Sequence, residues 1–266
     1  MKQYNEENII EDEIQGISAR QTIPADIAGE TRVGRLHSIE TFGAVDGPGI
    51  RTVFFLQGCP ARCSYCHNPD TWNECGGREV TIDEIVYRAE RGRPYYGNDG
   101  GVTFSGGEPL LQGKFLTSAI KALKAKGIKS AIDTSGTYFD ENSEEAIREA
   151  DMVLLDIKHI DSAKFEELTG RGQGPLLKLI EVLNKLDKPI WIRQVIVPGF
   201  NDSEEYIEAL NDFLSRFKTV KKIELLGYHS MAVNKYEKLG IKYKLMGVKP
   251  MDPERLKTLR EMTKIA

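Results

Sequence analysis

Three of the four cysteines in this chain fall within eight residues, in the run Gln57-Gly58-Cys59-Pro60-Ala61-Arg62-Cys63-Ser64-Tyr65-Cys66-His67-Asn68, spaced C-x3-C-x2-C. Soft thiolate ligands at this density suit an iron–sulfur cluster, whose irons are held by cysteine sulfur. Four thiolates close such a cluster, so three leave one iron free to bind something else. The competing reading is a structural zinc site, which is normally closed by four ligands. Cys75, in the turn-like stretch Asn73-Glu74-Cys75-Gly76-Gly77, is available as the fourth. His67 is a poor co-ligand because it directly follows Cys66.

Other polar clusters stand where a ligand could use them. Paired glycines in Ser105-Gly106-Gly107-Glu108-Pro109 often mark only a turn. Without side chains, though, their backbone can approach a ligand closely, and Glu108 offers a carboxylate for an ammonium. Asp156 and Lys158 stand two apart at a strand end and so share a face. One suits a hydroxyl or ammonium, the other a carboxylate; a surface ion pair is the plainer reading. Arg193 interrupts the apolar run Ile190 to Val197, where a charge is costly unless paired, so an anion nearby is expected. His229 on its own is an ordinary core or surface histidine. The chain lacks a Walker phosphate loop, a dinucleotide glycine fingerprint and a nucleophile elbow. The implied ligand is a zwitterion carrying a ribose or aromatic group, not a polyphosphate.

These residues must be positioned by a regular framework, and the pattern from Gly34 onward supplies one. Strands are predicted over 35–40, 52–57, 102–104, 130–132, 152–155, 190–197 and 223–226. Helices are predicted over 82–90, 114–126, 141–149, 176–186, 204–217 and 253–264. Thr81-Ile82-Asp83-Glu84 reads as a capping box, Gly127 as a helix stop, and Asp252-Pro253 as an N-cap with a first-turn proline. Asp46-Gly47-Pro48-Gly49 is a turn. Six β-then-α units after Arg51 argue for a parallel sheet with right-handed crossovers. Six units suggest a partial (β/α)6 barrel of the α/β class, with a doubly wound sheet as the alternative. Either fold gathers chemistry at the C-terminal strand ends. The Cys59 loop, Gly106-Gly107-Glu108, Asp133-Thr134, Asp156/Lys158 and Tyr228-His229 all fall at such ends.

Composition sets the limits. Of 266 residues, 40% are hydrophobic and 29% charged, with a net charge of −4, which is ordinary for a globular protein. That balance gives no reason to expect nucleic acid or an anionic membrane as main partner. No apolar run approaches the ~20 residues of a membrane-spanning helix, and no signal pattern opens the chain. Clustered cysteines point to a reducing cytoplasm rather than a disulfide framework. Residues 1–33 are acidic and aperiodic, expected as a solvated or loosely docked extension to one domain over 34–266.

Cys-x3-Cys-x-aromatic-Cys, with Tyr65 as the aromatic residue, resembles the signature of radical S-adenosylmethionine (SAM) enzymes. Further motifs resemble the activases of glycyl-radical enzymes. They are Gly34-Arg35-Leu36-His37-Ser38, Asp46-Gly47-Pro48-Gly49-Ile50-Arg51, Cys66-His67-Asn68-Pro69-Asp70-Thr71-Trp72, Gly101 to Glu108, Trp191-Ile192-Arg193, Val197-Pro198-Gly199, Ile223 to Leu226 with Tyr228-His229, and Tyr243 to Pro250. The resemblance runs from Gly34 to about Pro250. It implies a partial six-unit barrel in which Cys59, Cys63 and Cys66 hold a [4Fe–4S] cluster. The methionine amino and carboxylate groups of SAM would chelate the fourth iron, and the cluster's electron would release a 5′-deoxyadenosyl radical.

By the same resemblance, Tyr65 and His67 lie along the adenosyl part, and Gly106, Gly107 and Glu108 meet the amino group. Thr134, Asp156, Ile157, Lys158, Arg193 and His229 complete the SAM pocket. Asp133, Thr134 and Asp156 fall where a monovalent cation is expected. Asp46, Gly47, Pro48, Gly49 and Arg51 form the loop that meets the protein substrate. Many sister activases insert cysteine-rich ferredoxin-like segments, and here only Cys75 is spare. That favours pyruvate formate-lyase as the protein substrate, with a reduced flavodoxin- or ferredoxin-type electron donor.

Overall fold

The computed structural model describes residues 31–264, so the expected acidic extension lies outside the described residues except for its last three positions. The first strand, β1 (Val33–Gly43), pairs antiparallel with β2 (Arg51–Leu56) and with β3 (Arg78–Thr81). The chain then alternates: α1 (Ile82–Tyr96), β4 (Gly101–Gly106), α2 (Gly113–Ala125), β5 (Ser130–Thr134), α3 (Glu141–Glu149) and β6 (Met152–Asp156). Two helices, α4 (Ser162–Thr169) and α5 (Gly174–Lys185), precede β7 (Ile190–Ile196). The end of the domain is α6 (Glu204–Leu214), β8 (Val220–Gly227), α7 (Val233–Leu239) and α8 (Pro253–Glu261).

These strands make one sheet in the order β3-β1-β2-β4-β5-β6-β7-β8. From β2 to β8 every neighbouring pair is parallel. The parallel strands follow chain order without reversing, which is the winding of a barrel and not of a doubly wound sheet. The two edges, β3 and β8, do not meet, so the barrel is partial.

Period-2 alternation divides the strands between two environments. One face meets the helices through Phe54, Leu56, Phe104, Ile132, Val153, Leu155 and Ile192, all in the main core. The other face lines the barrel interior. Near the strand N-termini it is apolar, with Ala131, Met152 and Leu154 packed beside Trp191. One step further along the same strands the interior residues become Asp133, Asp156 and Arg193. Register places Asp156 beside Arg193 and Arg193 beside Glu224. The polar end of the interior therefore coincides with the C-terminal rim.

Three elements were not anticipated: β3, α4 and α7. Asp252 caps α8 ahead of Pro253 as expected, and Asp140 and Ser143 form a reciprocal capping box on α3 that was not anticipated. At α1 the Thr81 hydroxyl accepts from the Glu84 N–H as expected. The Glu84 carboxylate, however, is taken by Arg78 and Arg88, at 2.6 and 2.8 Å. Helix α1 also runs through Pro94 to Tyr96 instead of stopping near Glu90.

Candidate active site

The cysteine loop leaves β2 and is tied down along its length. Gly58 N–H donates to Thr71 O at 2.8 Å, Arg62 N–H to Thr169 O at 2.7 Å and Ser64 N–H to Leu168 O at 2.9 Å. Helix α4 therefore supports the loop from outside the sheet. The Arg62 guanidinium donates to Cys59 O and Ala61 O, both at 2.7 Å. Cys59, Cys63 and Cys66 form a small cluster of their own with Ala61 and Trp72. All are free thiols. Burial pushes the thiols up, Cys63 to about 12, and Cys59 and Cys66 in the same direction. Cys75, by contrast, is exposed, in a turn held by Arg35 through Cys75 O at 2.7 Å.

Behind the cysteine loop sits the end of β4. Gly107 N–H donates to Leu56 O at 3.0 Å and Glu108 N–H to Gly58 O at 2.9 Å. A Cβ at Gly107 would stand 2.2 Å from Gly58 O and 3.1 Å from Cys59 Cβ. Gly106 has φ +115 and no room beside the Leu56 backbone. The close approach these glycines allow is thus first of all to the cysteine loop itself.

Glu108 is fully buried. Its Oε1 accepts from Thr134 Oγ1 (2.6 Å) and Leu110 N–H (3.3 Å). Its Oε2 accepts from Ser135 N–H (3.1 Å) and Ser135 Oγ (2.7 Å). Burial raises the Glu108 pKa, and these donors draw it back. A carboxylate offers about four lone-pair sites, and all are engaged within the chain. Glu108 therefore holds Thr134 and Ser135 in place, and its side chain keeps no acceptor for an ammonium.

On the interior rim, Lys158 Nζ meets Asp156 Oδ2 at 2.5 Å and lies 5.4 Å from the centroid of the Tyr65 ring. Burial opposes the charge on Lys158, but the Asp156 carboxylate beside it favours the charge and the Lys158 pKa lies well above the usual lysine range. The Ile157 N–H donates to Arg193 O at 2.9 Å, so Ile157 contributes backbone that orients its two neighbours. Arg193 reaches Asp133 Oδ2 and Glu224 Oε2, both at 3.4 Å, and donates to Val45 O. Burial disfavours its charge, and Asp133, Asp46 and Glu224 outweigh that. Asp133 also accepts from Ser105 Oγ at 2.7 Å.

His67 and His229 stack with centroids 4.2 Å apart. Burial and the neighbouring imidazole lower the His67 pKa. Among the described residues, Tyr65 Oη, Asp156 Oδ1 and His229 Nδ1 are buried without a hydrogen-bond partner.

Two further features were misjudged or missed in the sequence. Arg51 was expected on the loop that meets a protein substrate, yet it is only 1% exposed. Strand register turns it inward, where it donates to Thr103 Oγ1 and Val102 O at 2.5 Å and to Pro48 O at 3.2 Å. Burial pulls its pKa down to about 10. Arg51 clamps the Asp46–Gly49 turn from beneath and is not presented to a partner. The missed feature is the support from α7. Tyr236 Oη donates to Cys66 O at 3.1 Å, and Lys235 Nζ reaches Asn68 Oδ1 at 2.9 Å and Asp70 Oδ2 at 3.1 Å. Its spacing after Tyr228-His229 was the available signal, and the helix is too short to show periodicity.

A profile of the radical SAM superfamily matches residues 53–214. The chain is 48% identical to the pyruvate formate-lyase-activating enzyme of Clostridium pasteurianum, across 87% of this chain and 98% of that protein. The chain belongs to the radical SAM superfamily, in the family of these activating enzymes. The protein of the same name from Staphylococcus epidermidis is 46% identical, across 84% of this chain and 92% of its own length. A domain of the pyruvate-formate lyase-activating enzyme from Bacteroides vulgatus superposes with a TM-score of 0.50 at 28% identity, covering 61% of this chain and 92% of that one. SuiB of Streptococcus suis, bound to its precursor peptide SuiA, shares the fold at a TM-score of 0.60 and 20% identity, covering 79% and 44%.

Radical SAM proteins hold a [4Fe–4S] cluster and SAM, and this family member has residues that fit both. Three free thiols, Cys59 and Cys63 buried and Cys66 half-buried, sit together on an anchored loop. The three orphaned polar atoms of Tyr65, Asp156 and His229 await a polar ligand, since buried polar groups are normally paired. The zinc alternative takes Cys75 as its fourth ligand, and Cys75 is exposed and lies outside the small cluster of Cys59, Cys63 and Cys66. No helix among the described residues is long and apolar enough to cross a membrane.

Proposed function

We propose that this chain activates pyruvate formate-lyase by converting one of its backbone glycines into a glycyl radical. The observation that carries the reading is the cluster of three thiols on one anchored loop, with orphaned polar atoms at Tyr65, Asp156 and His229, in a chain nearly half identical to proteins of that name over almost their full length. Cys59, Cys63 and Cys66 would hold the cluster. When bound, the cluster and SAM supply one-electron reductive cleavage and the hydrogen-atom abstraction that follows.

The chain's own residues bind and orient. Tyr65 and His67 would flank the adenosyl group, with His229 Nδ1 available to a ribose hydroxyl. Backbone at Gly106 and Gly107 would meet the amino group, and Glu108 would act through Thr134 and Ser135. Lys158 would meet the carboxylate while Asp156, Ile157 and Arg193 fix its position. The free Asp156 Oδ1, beside Asp133 and Thr134, also suits a monovalent cation. Asp46, Gly47, Pro48 and Gly49 would meet the protein substrate, and Val45 O on Arg193 ties that loop to the pocket. An unclosed barrel suits a loop entering sideways from a large protein. A reduced flavodoxin- or ferredoxin-type protein would deliver the electron.

Anaerobic incubation of the reconstituted chain with SAM, a reductant and pyruvate formate-lyase tests this. A glycyl doublet in the electron paramagnetic resonance (EPR) spectrum is expected. Its absence, with SAM still cleaved, rejects this lyase as substrate.

A further inference from the structure

Trp72 ends the short turn Pro69–Thr71, and its place is set on several sides. Its N–H donates to Pro69 O at 3.2 Å. Arg62 lies over the indole at 4.9 Å, and Tyr236 meets it edge-on at 5.8 Å. Both neighbours hold the cysteine loop directly, Arg62 through Cys59 O and Tyr236 through Cys66 O. The indole is therefore locked against the thiol cluster, in contact with its apolar wall.

Its indole Nε1 is buried and has no hydrogen-bond partner among the described residues. Indole N–H can only donate, and a buried donor without an acceptor is costly. Cys66 and Trp72 pack against the same small cluster with Cys59, Ala61 and Cys63, so the cysteine sulfurs are the acceptors at hand. The protonated thiol is a weak acceptor, so the contact stops short of a formed bond. A thiolate bound to iron is a far better one.

We propose that the Trp72 indole N–H donates to the Cys66 sulfur of the assembled cluster and tunes its reduction potential. This rests on the assignment of Cys59, Cys63 and Cys66 as cluster ligands. Hydrogen bonds to cluster sulfurs stabilise the more negative reduced state and raise the potential. Trp72 is thus a positioning residue: it makes the electron easier to load from a weak donor while leaving the ligand set unchanged.

The test is Trp72→Phe, which keeps a ring for Arg62 and Tyr236 and removes the N–H. Anaerobic reconstitution is expected to give a full complement of iron. In an EPR-monitored redox titration the ratio of reduced to oxidised cluster at a fixed potential should fall about tenfold, a shift of about 59 mV for a one-electron couple. An unchanged or higher potential with full iron overturns the proposal. Should the variant not load iron, the wild-type protein decides. Its reduced cluster must show an exchangeable proton coupling, by electron–nuclear double resonance in H2O against D2O, that vanishes when Trp72 is replaced by the N–H-free isostere benzothienylalanine. A coupling that persists unchanged refutes the role. Failure of the ligand assignment itself reads differently, as iron loading that survives Cys59→Ala, Cys63→Ala and Cys66→Ala.

Discussion

Replacing Gly107 by alanine should separate the folding of the barrel from the assembly of its metal loop. Gly107 does not occupy the left-handed region, so a side chain there meets only steric resistance. The added Cβ would lie 2.2 Å from Gly58 O, well inside the 3.0 Å that real Cβ atoms respect. One of the two backbones must move by about 1 Å, and the movement breaks the Glu108 N–H to Gly58 O hydrogen bond. Overpacking of this kind costs about 1–3 kcal/mol, and the lost bond about 1 kcal/mol. The sum, roughly 2–4 kcal/mol, corresponds to a melting temperature lowered by roughly 4–16 °C in a chain of this size. Circular dichroism of the apo-protein measures the melting, and iron per chain after anaerobic reconstitution measures the loop. Loss of most iron from a folded protein is expected. Gly127→Ala is the control: it meets nothing within 4 Å, so only backbone strain applies and iron loading should be normal. A Gly107→Ala protein with wild-type melting and full iron would refute the packing argument.

Other outcomes follow from the same geometry. Glu108→Gln leaves the Thr134 and Ser135 donors short of acceptors at a fully buried position, so about 1–3 kcal/mol of stability should be lost in urea unfolding, together with SAM affinity by equilibrium dialysis. Cys75→Ala should leave iron content and the cluster absorption unchanged, because Cys75 is exposed and apart from the buried thiols. At Glu84 burial raises the pKa, but hydrogen bonds from Arg78 and Arg88 outweigh it and hold it below the usual glutamate value. Its stabilisation is therefore present above the unfolded glutamate pKa and is lost as pH falls through the lower folded value. Glu84→Gln should be less stable than wild type at neutral pH by about 1–3 kcal/mol. The gap should close in acid, as urea melts across pH would record.

Much of the framework was legible because hydrophobic period and capping chemistry agreed. The last helix starts at the expected Asp252-Pro253 cap, and the sequential β-then-α pattern implied the winding. Strand β3 exposes three of its four residues, and α7 buries only Tyr236. Neither offers a periodic signal, though one pins the sheet edge and the other the cysteine loop. The cysteine triplet could be read outright because ligand chemistry depends on residue type and spacing. Arg51 could not: the resemblance placed it with Asp46-Gly47-Pro48-Gly49 on the loop that meets the protein substrate, and only strand register turns it inward. Glu108 likewise looked free, since nothing local reveals that Thr134 and Ser135, contributed by the next strand end, occupy its oxygens.

The central claim is that three thiolates leave one iron open to the polar rim formed by Tyr65, Asp156, Lys158 and His229. The direct test is the EPR spectrum of the anaerobically reconstituted, reduced protein before and after addition of SAM. A [4Fe–4S] signal that changes shape on addition of SAM is the predicted result. A protein that binds zinc in place of iron, or a cluster signal indifferent to SAM, would contradict it.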